Sequence, residues 1–165
     1  MKKILLGLMI LGLTIPLSAQ VVKLSEVVVS AANYKYMQSV GYEAAVPVQL
    51  LEEKVATFDL KNSELYSDEY DTYTISFYIP EGKIVALYDN EGNVLRTIER
   101  FENIAIPTTV KNAIDQRFPG WEVKKDVYKV TYNDAKNRST KFYKVKLENG
   151  DQLIRIKIDD EGNFL

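Results

Sequence analysis

The chain contains neither cysteine nor histidine in 165 residues. Without cysteine there are no disulfide staples, no thiolate nucleophile and no sulfur ligand for zinc. Without histidine the usual neutral-pH general base, the commonest metal ligand and every Ser-His or Cys-His pair are missing. Most hydrolase chemistry is thereby left out. Proline and glycine are sparse, five and eight residues, so the chain is neither collagen-like nor low in complexity. Apolar runs of membrane-spanning length are also lacking: the longest, residues 4–17, falls short of the about 20 residues a spanning helix needs. Basic charge is not in excess, with 21 Lys and Arg against 23 Asp and Glu, which argues against a general nucleic-acid binder.

What is present reads as an exported globular protein. Met1, Lys2 and Lys3 open the chain with positive charge, an apolar run follows, and Leu17-Ser18-Ala19 closes it with small residues. This is the pattern of a secretory signal peptide over residues 1–19. The mature chain is then expected in the periplasm or outside the cell, with no transmembrane segment and 19 basic against 23 acidic residues. With about 146 residues left, folding buries roughly 68–70% of the unfolded surface, enough for a core without staples.

Residues 20–46 read as an extended N-terminal segment, because residues 21–29 are dense in β-branched side chains. An edge strand, or an arm that pairs with another strand, is the reading adopted there. Residues 24–31 are also similar, over eight positions, to the entry stretch of TonB-dependent receptor plugs. Val48, Leu51, Val55 and Phe58 have helical spacing. Tyr73, Ile75, Phe77 and Ile79 alternate with polar residues as a half-buried strand does, and strands over 83–88 and 94–101 complete a meander. A second helix starts at Pro107 and carries Val110, Ala113, Ile114 and Phe118 on one face, ended by Pro119-Gly120. Strands over 121–132, 141–147 and 152–158 follow.

The halves echo one another. Residues 88–95 (YDNEGNVL) match residues 158–165 (IDDEGNFL) at an offset of 70. The expected architecture is α+β: an antiparallel β-sheet built from two helix-plus-meander repeat units, 47–103 and 104–165, with helices packed on one face. The order Ile106-Pro107, amphipathic helix, Phe118-Pro119-Gly120-Trp121, Tyr128 to Tyr132, Tyr143-Lys144-Val145, Asn149-Gly150 and Asp159 to Phe164 resembles the PepSY-like family related to the β-lactamase-inhibitor-protein fold, exported by Bacteroidota. The likeness runs from Val48 to Leu165 and is strongest after Ile104. It implies an α+β fold, an extracytoplasmic location and a role in binding or inhibiting other proteins. It carries no catalytic residues onto this chain.

Three clusters could carry function. The Asp- and Asn-rich turns at 89–93 and 159–163 are too short for a calcium loop and suit tight hairpins. Glu64, Asp68, Glu69 and Asp71 interleave with Tyr66, Tyr70 and Tyr73. No pattern marks one of these carboxylates as desolvated, as a glycosidase acid would be, so the patch reads as a solvated loop or a recognition loop. From 122 to 157 there are ten basic and five acidic residues, and Lys144, Lys146, Arg155 and Lys157 fall on alternate positions of neighbouring strands, which puts them on one solvent face. The expectation is a non-enzymatic binding module without metal or cofactor. Its candidate anchors for an unknown envelope or secreted protein are Tyr66, Tyr70, Tyr73 and Tyr128, with Lys144, Lys146, Arg155 and Lys157. Trp121 is read as core. The alternative is a binder of small anionic ligands or of membrane surface through the basic face.

Overall fold

The computed structural model describes residues 31–165. Residues 1–19, read from the sequence as a leader, and the run at 21–29, read as extended, lie outside the described residues. Strands β1 (Thr72–Ile79), β2 (Gly82–Asp89), β3 (Val94–Glu102), β4 (Glu122–Asn133), β5 (Arg138–Asn149) and β6 (Gln152–Asp159) form one antiparallel sheet in sequential order. Helices α1 (Ala31–Val40), α2 (Val46–Ala56) and α3 (Thr108–Arg117) bring their buried side chains to one of its faces. The fold is α+β. Among the described residues, no helix is long and apolar enough to cross a membrane.

Strand alternation builds the core directly. Tyr73 and Phe77 of β1, Ile84, Ala86 and Tyr88 of β2, Phe101 of β3, Tyr128, Val130 and Tyr132 of β4, and Tyr143, Val145 and Leu147 of β5 are all buried. Val48, Leu51 and Val55 of α2 and Val110 and Ile114 of α3 close over them. Gly82 is required where β1 turns into β2, since a Cβ there would sit 2.2 Å from the Arg100 carbonyl oxygen.

Residues 31–40 correct the expectation of an extended segment over 20–46, because they form α1. The cause is burial of Tyr36, Met37 and Val40, helped by Gly41, which ends the helix at φ +72° and donates its N–H to the Met37 carbonyl at 3.0 Å. Asn33 pins the start of α1 to the end of α2 and to the turn between β2 and β3. Its Nδ2 donates to the carbonyls of Ala56 and Gly92, and its Oδ1 accepts from Val94 N–H at 2.8 Å.

The two matching turns are built alike. Asp89 Oδ1 accepts the N–H groups of Glu91 and Asn93 at 2.9 and 2.8 Å, and Asp159 Oδ1 accepts those of Glu161 and Asn163 at 3.1 and 2.7 Å. Gly92 and Gly162 supply the positive φ, +85° and +91°. The two carboxylates are thus engaged by their own backbone. Tyr88 pairs with Val94 as Ile158 pairs with Phe164. The offset of 70 therefore equates β2 with β6 and β1 with β5, and in the first half residues 52–63, the end of α2 and the start of the loop after it, stand where the second half has β4.

Candidate functional site: the open face of the sheet

The face turned away from the helices carries the charge. Along β5 and β6, Lys144 stands opposite Lys157 and Lys146 opposite Arg155, and Lys125 of β4 stands opposite Lys146. Arg100 of β3 lies opposite Lys129, and Lys129 opposite Phe142. The four residues expected on one solvent face are brought together there, in two adjacent rows. Like charges directly across a strand pair repel, roughly 0.2–1 kcal/mol each.

Carboxylates relieve only the margins. Glu102 binds Arg100 at 2.5 Å and Lys125 at 2.7 Å, and these cations hold its carboxyl below the usual carboxylate range. Lys124 binds Glu148 at 2.8 Å. Among the described residues, Lys144, Lys146, Arg155 and Lys157 have no ion-pair partner. Lys157 instead lies 4.1 Å from the centre of the Phe142 ring. Arg117 stacks in the same way 4.4 Å from Phe164 at the C-terminal edge. Such cation–π contacts hold a charged head in place without neutralising it.

Between these residues runs a groove of about 840 Å³, over β4 to β6 and round the β6 edge to Phe118 and Phe164. Seven Lys and Arg side chains line it, the four above with Arg100, Arg117 and Lys125, and no Asp or Glu does. Val127, Phe164 and Leu165 give it apolar wall. Sequence reasoning missed Arg100, Arg117 and Lys125 as members. Arg100 is legible by parity, since it alternates with buried Glu99 and Phe101, but Arg117 reaches the groove only because α3 packs beside β6.

The tyrosine cluster is rearranged relative to expectation. Tyr128 is 2% exposed and stacks on Tyr143 at 4.5 Å. It is core, not a partner anchor, because it shares strand parity with Val130 and Tyr132. Tyr73 is 7% exposed, and its hydroxyl donates to the Ser67 carbonyl while accepting the Ser67 N–H. It too is removed from the anchors. Tyr66 stacks on it at 5.8 Å and is half-buried, which leaves Tyr70, 58% exposed, as the tyrosine available to a partner. Trp121 packs against Phe118 and the core as expected.

The opposite face holds a second charged feature, buried. Glu52 of α2 and Glu99 of β3 are each 1% exposed, and their carboxyls are neighbours beneath α1 and α2. Tyr36 and Thr97 hydroxyls donate to Glu99 Oε1 at 3.0 and 2.6 Å. Among the described residues, Glu52 Oε1 and Oε2 and Glu99 Oε2 meet no hydrogen-bond donor, which disfavours the ionised form of both carboxyls. Burial, reinforced by Glu99, raises the Glu52 pKa, and burial likewise raises that of Glu99 against the pull of its hydrogen bonds and of Lys141. Lys141 is drawn off by Asp160 at 3.4 Å. Both carboxyls are closed off from solvent. No group of three or more potential metal ligands occurs among the described residues.

No family model matches the chain, and no curated protein matches it. Among solved structures it is similar to a BLIP-like protein from Bacteroides fragilis, over 86% of each chain at 13% identity and a TM-score of 0.33. Overlap of that degree carries no argument about fold or function. The fold stands on the sheet itself, and the site on its charges.

Proposed function

We propose that the chain is a non-catalytic, exported binding module of the cell envelope that holds a protein partner against the open face of its sheet. The observation that carries this is the pair of rows Lys144–Lys157 and Lys146–Arg155, like charges placed opposite each other on the open face and without an ion-pair partner among the described residues. A fold gains nothing from that arrangement, whereas a partner that brings the counter-charge gains complementarity and faster encounter. Export rests on the leader pattern of residues 1–19. The non-catalytic reading rests on the missing histidine and cysteine and on the enclosure of Glu52 and Glu99, the carboxyl pair with shifted protonation. Division into units 47–103 and 104–165 rests on each holding one α-helix followed by three antiparallel strands. Tyr70, packed on the core-facing Tyr73, and the acidic loop around it lie at the β1 edge of the sheet, away from these rows, and offer a separate contact.

Affinity capture from an envelope extract of the native host tests this, with the chain and its Lys146→Glu/Arg155→Glu variant as baits at low and moderate salt. One stoichiometric protein held by the wild type and lost by the variant is the expected result. No protein retained at either salt would overturn the proposal and move the function to small anions or membrane surface on the same face.

A further inference from the structure

Resting on that reading, we infer that the partner docks through an extended acidic segment, with carboxylates on alternate residues, laid into the groove over β4 to β6. Three observations on the groove select this chemistry. The first is its lining of seven cations and no carboxylate side chain within about 840 Å³. A single phosphate reaches two or three such groups. Cations spread over α3 and four strands call for an anion of several charges.

The second is spacing. Residues on one face of a strand repeat about every 6.8 Å, and neighbouring strands lie about 4.8 Å apart. Lys144 and Lys146, and Arg155 and Lys157, follow the first repeat, and the rows across β5 and β6 follow the second. An extended chain places every other side chain on the same side at that same repeat, so its carboxylates meet successive cations without distortion. A helix, with same-face residues about 5.4 Å per turn apart, falls out of step.

The third is shape and preorganisation. The cations line a recess that turns round the β6 edge rather than a flat plane, so an inserted segment fits it and a bilayer surface does not. The heads of Lys157 and Arg117 rest on the rings of Phe142 and Phe164, which lowers the ordering cost of binding. Val127, Phe164 and Leu165 offer apolar wall to whatever side chains flank the carboxylates.

The test uses fluorescein-labelled peptides on the chain purified after expression with its leader. One peptide alternates Glu and Val over eight residues; a second has the same composition in two blocks. Inorganic phosphate and vesicles of phosphatidylserine and phosphatidylcholine are the competing probes. The alternating peptide is expected to bind at least tenfold more tightly than the block peptide. It should lose at least tenfold in Lys146→Glu/Arg155→Glu, whose circular dichroism and melting are checked alongside, and should not be displaced by phosphate at matched ionic strength. Equal binding of the two peptides would overturn the extended register. Preference for vesicles or phosphate, or no peptide binding at all, would overturn the acidic segment. In those cases capture of a protein that still depends on Lys146 and Arg155 would leave the proposed function standing. Peptide binding with an empty capture would overturn the proposed function alone.

Discussion

The two faces of the sheet treat charge in opposite ways. Beneath the helices, Glu52 and Glu99 are buried side by side, and burial raises the pKa of both. On the open face, Lys144, Lys146, Arg155 and Lys157 stand side by side at the surface. Desolvation decides the first case, because an ionised carboxylate in a low-dielectric core is far costlier than a neutral one. Screening decides the second, since water and salt reduce repulsion between exposed neighbours to a fraction of a kcal/mol. Repulsion that small is tolerated by the fold and becomes binding energy once a partner excludes the water.

The contrast can be broken hardest from the helix-bearing side. Leu51→Ala, beside Glu52 in the core, is expected to cost about 2–5 kcal/mol by transfer and cavity terms, read as a lower urea midpoint at unchanged slope. The same truncation on the open face, Val127→Ala, should cost less because that side chain is only half-buried.

A smaller effect comes from pH. The folded-state pKa of the buried carboxyls is raised above the unfolded value. Their contribution to stability is therefore complete below the unfolded pKa and declines as pH rises toward the folded one, where the unfolded chain has released protons that the folded chain retains. The slope is at most about 1.4 kcal/mol per pH unit for each proton. Glu52→Gln keeps a donor for Glu99 and removes one titration. Chemical unfolding of this variant should show a flatter pH profile, with stability above wild type at pH 8 and near it at pH 4. A variant that follows the wild-type profile would show that Glu52 ionises freely in the core.

The smallest effect is the most informative about the open face. Lys146→Glu places a carboxylate opposite both Lys125 and Arg155 and should stabilise the fold by about 0.2–1 kcal/mol at low salt, an advantage that fades as salt is added. The same change should abolish partner binding. Stability gained while binding is lost separates a recognition face from an ordinary solvated one. Unchanged stability at every salt would mean that the cations do not sense each other.

Much of the sheet was legible in the chain. Alternation over 73–79 and the turns between the later runs marked all six strands, and parity alone assembled the four cations on one face. The same parity, applied to Tyr128 beside Val130 and Tyr132, identifies a core residue, and Tyr73 already belonged to an apolar series. Both were read as anchors for their chemistry, against their geometry. Helix α1 had a signal in Tyr36, Met37, Val40 and Gly41, outweighed by the β-rich residues before it. Glu52 falls on the apolar stripe of α2, with Val48, Leu51 and Val55, yet a glutamate there can reach out to water, and nothing local says that it turns inward.

By itself the sequence determined period and parity: which segments alternate, which side of each strand meets water, and where the turns with Asp and Gly must bend. These are local properties, carried by the backbone's repeat and by the conformations each residue allows. Only the tertiary structure decided that Glu52 lies against Glu99, 47 residues away in sequence, that Arg117 joins a groove on β6, and that residues 52–63 stand where the second half has a strand. Those pairings depend on how elements distant in sequence pack, and packing is set by the whole core at once.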